Sequence, residues 1–376
     1  MARKTVERNI SYDDIRKIYY VSMDLGRDKE GRRVRRYQTY RTLHAARAGL
    51  RGFLAHREEE INTPKHTLTL ADWLEGWMDN IVRPTRAETT VYGYQKIIDN
   101  HILPALGHIP LLQLTPMDIQ RYYIQVQHSA NLSPNTLRRH HDLLSSSLRS
   151  AVRQDKLPFS PMDKVEPPRT QQKETSYYRP EELKRLYALV EGHPLELCVK
   201  LAGSLGMRRE EICGLKWECV DCRRRLLFIR EARTAYGATV VQKETKTPSS
   251  VRTLFLPEDV ARLLHAEQVR QAGWLREGRL TEASPFVVLD RRCRPYSPNA
   301  LSVAFTRFVQ KNGLPRITLH GLRHSFATVA SFQGVPLFDI GKALGHATPA
   351  TTGRIYTHLV DRTHEDTLIK VADALK

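Results

Sequence analysis

The pattern of hydrophobic and polar positions near the start of the chain predicts a small sheet followed by one helix. β-Branched and aromatic residues dominate from about Ile15 to Arg41, and a turn-rich stretch at 26–31 divides them. Such residues favour strands, and glycine-containing stretches between them favour turns. From Thr42, which can cap a helix, apolar residues recur near helical spacing to about Glu60. We therefore predict a sheet-and-helix module over residues 1–62.

The following part of the chain has helical periodicity. Large apolar residues between Trp73 and Trp77 predict a helix that begins near Thr69. Another helix begins at Ser133, because serine caps helices well and the proline after it is favoured at the first helical position. Several prolines predict a linker over about 158–175. The region 66–165 is therefore predicted to be a helical domain.

The C-terminal half mixes the two periodicities, which predicts a mainly helical domain with a small antiparallel sheet over residues 175–376. With the two preceding regions, the fold class is a multidomain α+β protein. The predicted strands lie near 225–231, 239–242 and 251–256, and the predicted helices cover 302–308, 323–333, 336–344 and a striped final segment from His364.

Charge indicates a polyanionic partner. The chain has 59 basic and 41 acidic side chains, a net charge of +18 and a pI near 9.8, and such an excess drives salt-dependent association with nucleic acid. DNA, RNA or a membrane surface would each fit the charge alone. Since no apolar run is long enough to cross a bilayer and the start lacks a secretory signal, we expect a cytoplasmic protein without a membrane partner.

Cysteine usage predicts neither a disulfide framework nor a zinc site. The five cysteines are an odd number in a long chain, which does not favour a framework of disulfides. Cys219 and Cys222 form one C-x-x-C pair, but zinc needs two further ligands at suitable spacing, and the sequence offers none nearby. We therefore expect an incidental or structural pair and no metal.

Breaking a phosphodiester without a metal requires a particular set of side chains. The transition state carries extra negative charge on the non-bridging oxygens, and fixed cationic donors supply most of its stabilisation. Arginine suits this task because its planar fork binds two oxygens and stays charged. A nucleophile must be aimed in line, and the leaving oxygen needs a proton. Two arginines, histidines, a lysine and a hydroxyl nucleophile are therefore the set to find.

The C-terminal half supplies these residue types in clusters. Each cluster alone is ordinary, because isolated His-x-x-Arg pairs and turn lysines are usually solvated and an isolated tyrosine among apolar residues usually belongs to a core. Their combination is specific. The candidates are Arg208 and Glu211 after Gly206, Lys246 in a turn between strands, His320 and Arg323 one helical turn apart, His346, and Tyr356 ten residues later.

These clusters resemble the motifs of the tyrosine recombinases, also called lambda-type integrases. The family's G-[LM]-R-x-x-E motif is similar to residues 206–211, and its K-T-x-x-S-x-R motif to residues 246–252. Its H-x-L-R-H motif matches residues 320–324, and its L-G-H and I-Y-x-H motifs match within 344–358. The resemblance extends over nearly the whole chain and leaves no catalytic position empty.

The resemblance implies a covalent mechanism on DNA. Tyr356 would attack the phosphorus, giving a 3′-phosphotyrosine and a free 5′-hydroxyl. Arg208 and Arg323 would bind the non-bridging oxygens, and His346 would add a hydrogen bond there. Because the phosphotyrosine stores the bond energy, rejoining would need neither ATP nor a metal cofactor. Exchange of one pair of strands would give a Holliday junction.

The resemblance also implies proton-transfer roles. Lys246 would protonate the leaving 5′ oxygen, with Lys243 as the competing candidate because the turn length leaves the register open. His320 would help to move the Tyr356 proton, which matters because a free phenol has a pKa near 10. Glu211 would orient His320 from behind.

The front of the chain resembles the DNA-binding parts of the longer family members. Residues 1–62 resemble a three-stranded module that binds arm-type sites, and residues 66–165 resemble the domain that binds core-type sites. The family works as a homotetramer on double-stranded DNA, and an excision factor and a DNA-bending protein are expected partners. A solvated charged face is the alternative for each cluster of candidate DNA contacts, which are Arg32, Arg33, Arg35, Arg36, Arg138 and Arg139.

Three other functions compete with that of a phage or conjugative-transposon integrase. A chromosome-dimer resolvase would lack the arm-type module. A topoisomerase of type IB would lack both that module and the motif at residues 344–346. A DNA-binding regulator that has lost catalysis would not need the complete set from Arg208 to Tyr356. We therefore predict a site-specific recombinase that catalyses integration and excision.

Overall fold

The α+β class predicted from the sequence is confirmed by the computed structural model of the protein, which describes residues 4–27, 33–62, 67–170, 176–244, 251–345 and 373. Separate hydrophobic clusters form in the N-terminal sheet, in the helical middle part and in the C-terminal part. In the described ranges, no helix is both long enough and apolar enough to span a membrane.

The N-terminal part is a four-stranded antiparallel sheet in the order β1-β2-β3-β4, followed by helix α1. Its small core contains Ile10, Val21, Met23 and Ala46. The strands predicted from about Ile15 onward missed β1 and β2, which both precede that residue and are four residues long. The residues of β1 are almost all solvent-exposed and show no apolar alternation. The bounds are β1 Lys4–Glu7, β2 Ile10–Asp13, β3 Ile18–Arg27, β4 Arg33–Tyr40 and α1 Leu43–Asn62.

The middle part is helical, as predicted, and side-chain caps are present at Thr69 and at the predicted position Ser133. The Thr69 side chain accepts a hydrogen bond from the backbone of Asp72, and Asp72 returns one to the backbone of Thr69. The Ser133 side chain accepts from the backbone of Thr136. These bonds satisfy amide groups that the first turn of a helix leaves unpaired. The helices are α2 Leu70–Trp77, α3 Arg83–Thr85, α4 Glu88–Ile97, α5 Leu103–Leu106, α6 Pro116–Ser129 and α7 Pro134–Arg153.

Two wide helical turns interrupt this part in the same way. A π-helical turn over Met78–Val82 joins α2 to α3, and another over Ile98–Ile102 joins α4 to α5. Each is followed by a proline in the second position of the next helix, Pro84 or Pro104. Proline lacks an amide hydrogen and crowds the preceding turn, so a wider turn before it relieves the strain.

The linker begins later than the sequence predicts. Residues 161–164 form a short 3₁₀ turn capped by Ser160, and Met162 and Val165 are buried in the helical cluster. Pro161, one of the prolines that suggested a linker from residue 158, instead starts this turn, since proline is favoured at the beginning of a helix.

The C-terminal part is built around α9, whose buried residues pack against α13, α8 and α11. Its strands form a three-stranded sheet in the order β5-β6-β9 and a separate hairpin of β7 and β8. The predicted final helix from His364 lies outside the described residues. The elements are α8 Pro180–Val190, α9 Glu196–Leu205, α10 Arg209–Gly214, β5 Val220–Asp221, β6 Leu226–Ile229, β7 Glu231–Tyr236, β8 Thr239–Glu244, β9 Arg252–Phe255, α11 Glu258–Arg276, α12 Pro298–Lys311, α13 Leu319–Phe332 and α14 Leu337–Leu344.

Candidate active site

Arg208 is held at the junction of two helices. Gly206 ends α9 in the left-handed region, with φ of 63°, a conformation that glycine adopts at low cost. Arg208 then precedes α10, and its backbone amide donates to Oε2 of Glu211 at 2.8 Å. Its guanidinium donates from Nη1 to Glu211 Oε1 at 2.8 Å and from Nη2 to the carbonyl of Gly345 at 3.1 Å. The arginine is therefore fixed at both its backbone and its side chain.

Arg323 lies on α13, one helical turn after His320, and is 2% exposed. Nη1 donates to the carbonyl of Gly206 and Nη2 to the carbonyl of Leu344, each at 2.6 Å. One guanidinium thus joins the end of α9 to the end of α14. Because Leu344 and Gly345 are consecutive, the structure brings the guanidinium groups of Arg323 and Arg208 together at the end of one helix.

A third arginine, Arg252, completes this arrangement. It is the first residue of β9, and its Nε donates to the carbonyl of Ala343 at 2.9 Å. Its two terminal nitrogens donate to the two carboxylate oxygens of Glu211, at 3.0 and 2.8 Å. Three arginines therefore bind three successive carbonyls, which carry the partial negative charge of a helix C-terminus. In the sequence, Arg252 is the last residue of the K-T-x-x-S-x-R motif, but only the lysine of that motif was predicted to have a role.

Glu211 is the charge that faces these arginines, and its side chain is 2% exposed. Burial opposes its ionisation, but the hydrogen bonds and charge of Arg252, together with the charge of Arg208, outweigh burial and lower the pKa of Glu211 to about 2. In the described residues its hydrogen bonds come from Arg208 and Arg252. Its described contacts therefore orient Arg208, in place of the predicted contact with His320.

His320 remains beside the arginines. Burial of its ring, followed by the nearby charge of Arg323, lowers the pKa of His320, and Arg208 and Arg209 act in the same direction. Its ring meets that of His324 edge to face, with 4.8 Å between centroids. The lowered pKa favours the neutral imidazole, which can accept a proton.

Sequence comparison identifies the family. The phage integrase family matches residues 176–363, and its N-terminal SAM-like domain matches residues 69–127. The chain belongs to the phage integrase family. A tyrosine recombinase XerC-like protein of Caldanaerobacter subterraneus subsp. tengcongensis is 26% identical, with 96% of each chain covered. The ICEBs1 integrase of Bacillus subtilis is 24% identical over 76% of this chain and 78% of its own.

Solved structures of integrases share the fold. The Tn1549 transposon integrase, solved in complex with transposon right end DNA, aligns with a TM-score of 0.67 and 19% identity, over 81% of this chain and 99% of its own. A lambda integrase tetramer bound to a Holliday junction aligns with a TM-score of 0.59 and 17% identity, over 92% and 97% of the two chains.

Several predicted site residues of this integrase-family chain lie outside the described residues. These are Lys246, His346, Tyr356 and Arg32. The competing lysine, Lys243, is described: it lies on β8 opposite Ala232, and its Nζ is 3.0 Å from a carboxylate oxygen of Glu88 on α4. Where the structure describes the chain, no group of histidine, cysteine and acidic residues is arranged to hold a metal ion.

The arginines that are predicted to contact DNA lie on two surfaces of the protein. Arg35 and Arg36 are exposed on β4, opposite Asp24 and Met23 of β3, and Arg33 begins the same strand. Arg139 is exposed on α7, whereas Arg138 forms an ion pair with Asp142 at 3.1 Å on the same helix. The two surfaces belong to different hydrophobic clusters, so they are separate basic regions.

Proposed function

We propose that this protein is the integrase of a mobile element, a site-specific recombinase that cuts and rejoins double-stranded DNA through a 3′-phosphotyrosine at Tyr356. Family membership supports the reaction class. The observation that carries the assignment of the site is the meeting of Arg208 and Arg323 at the carbonyls of Leu344 and Gly345, immediately before His346. Two cations that share one helix end can bind the two non-bridging oxygens of one phosphate.

The guanidinium of Arg208 can bind groups of the protein and a phosphate at the same time. A guanidinium offers five N–H donors, and its described side-chain hydrogen bonds go to Glu211 and Gly345. Its side chain is 30% exposed, whereas that of Glu211 is 2% exposed. The buried carboxylate of Glu211 fixes the orientation of the Arg208 guanidinium. The exposed edge of that guanidinium faces the incoming DNA.

The proposed reaction conserves the phosphoester bond. The phenolic oxygen of Tyr356 bonds to phosphorus while the bond from phosphorus to the 5′ oxygen breaks. His320 accepts the phenol proton, and its lowered pKa keeps the imidazole in the neutral form that can accept one. Lys246 donates a proton to the 5′ oxygen. Rejoining reverses these transfers with a different 5′-hydroxyl, so we propose that the cycle requires neither ATP nor a metal ion, with a Holliday junction between the two exchanges.

The ion pair of Lys243 supports the assignment of Lys246 as the acid. Lys243 is paired with Glu88 of the helical part and sits within the ladder of the β7–β8 hairpin. A proton donor for the leaving oxygen must approach the phosphate. The carboxylate of Glu88 opposes such an approach by Lys243, because it binds the Lys243 ammonium group. Lys246 lies beyond the end of β8, where the chain leaves the hairpin towards β9.

We further propose how the chain meets DNA. Residues 1–62 bind arm-type sites through β4, residues 66–165 bind core-type sites through α7, and residues 175–376 form the catalytic domain. Arg35, Arg36 and Arg139 are exposed on those two elements. Recombination requires four subunits on DNA, and the direction of the reaction depends on an excision factor and a DNA-bending protein.

Trapping of the covalent intermediate tests the function. Purified protein is incubated, with EDTA and without ATP, with genomic fragments that flank its own gene; denatured complexes are then collected and the attached DNA is sequenced. We expect attachment at one short site, none with Tyr356→Phe, and normal attachment with Tyr296→Phe, a control at a half-buried tyrosine of the same part.

Three outcomes would contradict the proposal. Attachment by Tyr356→Phe would show that another residue is the nucleophile. Relaxation of plasmids without any specific site would indicate a type IB topoisomerase. Sequence-specific binding without any attachment by the unaltered protein would indicate a regulator.

A further inference from the structure

We infer that Arg252 is a positioning residue for DNA cleavage, which holds Glu211 and the end of α14 so that Arg208 is directed at the phosphate. The inference rests on the proposed function. In this role Arg252 does not bind the phosphate, because its Nε donates to the carbonyl of Ala343 and its two terminal nitrogens donate to Glu211.

The geometry of the pair with Glu211 is that of two planar groups side by side. Two nitrogens of Arg252 bind the two oxygens of Glu211, at 3.0 and 2.8 Å. Each oxygen also accepts one hydrogen bond from Arg208, Oε1 from the guanidinium and Oε2 from the backbone amide. Both oxygens are thereby used, and the carboxylate plane is fixed in one orientation.

Arg252 also joins three elements that lie next to predicted catalytic residues in the sequence. It begins β9, the strand that follows the segment of Lys246. It binds Glu211 on α10, beside Arg208. It binds the carbonyl of Ala343 on α14, one residue before the carbonyl that Arg323 binds and two before the carbonyl that Arg208 binds. One side chain therefore sets the relative positions of β9 and both predicted phosphate-binding arginines.

Loss of Arg252 would leave a buried carboxylate with Arg208 as its described cationic partner. The charged side chains that contact Glu211 are Arg208 from its own helix and Arg252 from β9, while α14 contributes backbone carbonyls. A buried carboxylate with fewer partners takes up a proton more readily. Once protonated, it would no longer hold the guanidinium of Arg208 in place.

The test measures single-turnover covalent attachment to a nicked duplex that carries the site recovered by trapping. For Arg252→Gln we expect attachment to slow about 100-fold, the size of effect expected from a displacement of about 1 Å, while DNA affinity is unchanged. We also expect an additional loss of rate as the pH falls, because the raised pKa of Glu211 brings its protonation into the assayed range.

Further variants separate positioning from folding. Arg252→Lys keeps the charge, so it should remove the acid-dependent loss yet remain slow, because one ammonium cannot reproduce three directed hydrogen bonds. The double variant Glu211→Gln with Arg252→Gln removes both charges of the buried pair, so it should fold and lack the acid-dependent loss. Arg225→Gln is the matched control, since Arg225 lies next to β6 in the same sheet region but pairs with Glu258 at the surface; it should react like the unaltered protein.

The outcomes distinguish the two proposals. If the unaltered protein attaches and both Arg252 variants attach at its rate with its pH dependence, the positioning role is wrong and the proposed function stands. If the unaltered protein attaches to no DNA, the proposed function has failed. If Arg252→Gln does not fold, a fast Arg252→Lys variant would still overturn the inference, and a slow one without acid-dependent loss would support it.

Discussion

Gly206 occupies a backbone conformation and a space that both favour glycine. Its φ is 63°, and a Cβ atom added there would lie 2.6 Å from Cδ2 of Leu344 and 2.9 Å from Cδ1 of Phe326. Its carbonyl also accepts the hydrogen bond of Arg323. The end of α9 is thus coupled to α14 by packing as well as by the arginine.

We expect Gly206→Ala to lower the free energy of unfolding by about 2 to 5 kcal/mol, which combines the left-handed backbone with overpacking. Urea unfolding measures the change. Gly313→Ala is the control, because Gly313 has a φ of 60° but no atom within 4 Å of an added Cβ; it should lose only about 1 to 2 kcal/mol. Equal losses at the two positions would show that Leu344 and Phe326 yield to the new methyl group.

Residues whose roles depend on near neighbours could be predicted from the sequence, and those that depend on distant partners could not. The caps at Thr69 and Ser133 and the helix end at Gly206 follow from local chemistry. The pair of Glu211 and Arg252 spans 41 residues, and no periodicity encodes such a contact. Glu211 was therefore expected to contact His320, whereas its described hydrogen bonds come from Arg208 and Arg252.

At the scale of elements, α7 combines an apolar stripe with buried polar groups. His140 is fully buried, and its Nδ1 is 2.8 Å from the hydroxyl of Tyr122 on α6. In the described part of the chain, its Nε2 is buried without a hydrogen-bond partner. Burial, with a smaller contribution from His101, lowers the pKa of His140 to about 4. The neutral ring therefore belongs to the folded state.

This shift predicts a loss of stability in acid. Because the folded pKa of about 4 lies below the ordinary value of 6.5, the unfolded chain binds a proton that the folded chain does not. The stability that the neutral His140 ring contributes is fully present above about pH 6.5 and is lost as the pH falls towards 4. The free energy of unfolding then decreases by up to about 1.4 kcal/mol per pH unit. We expect His140→Gln to reduce this slope, measured by urea unfolding at several pH values.

A matched histidine in the same part of the chain provides the control. His128 is exposed near the end of α6, and His128→Gln should keep the slope of the unaltered protein. A slope that stays the same in His140→Gln would show that other groups govern acid unfolding. The pKa of Glu211 in the folded protein is about 2, so this residue also lowers the free energy of unfolding as the pH falls below 4.5. The slopes of the variants are therefore compared between pH 5 and 7.

At the scale of the molecule, hydrophobic periodicity predicted the three regions better than their edges. The helical core formed where Trp73 and Trp77 indicated it, because large apolar residues at helical spacing have to be buried. Strands β1 and β2 were missed because they are short and β1 is exposed. The linker was placed too early because Pro161, one of the prolines that predicted it, begins the turn at 161–164. Surface strands and buried turns lack the hydrophobic signal on which such predictions depend.

The contact between the helical and C-terminal parts is polar and small. Glu88 of α4 pairs with Lys243 of β8, and their side chains are 54% and 29% exposed. Beside them, the ring of Tyr92 lies 5.7 Å from that of Tyr236. An exposed ion pair contributes about 0.2 to 1 kcal/mol, and an aromatic pair about 0.5 to 1.5 kcal/mol. Such a contact can break at little cost.

We expect Glu88→Lys to shift the protein towards more open forms, because it places two cations side by side where an ion pair stood. Small-angle X-ray scattering at low salt should show a larger radius of gyration. The double variant Glu88→Lys with Lys243→Glu restores opposite charges and should return the radius towards that of the unaltered protein. At about 1 M salt, where charges are screened beyond about 3 Å, the difference should shrink. If the single and double variants have the same radius, the pair does not hold the two parts together, and the tyrosine rings must provide the contact.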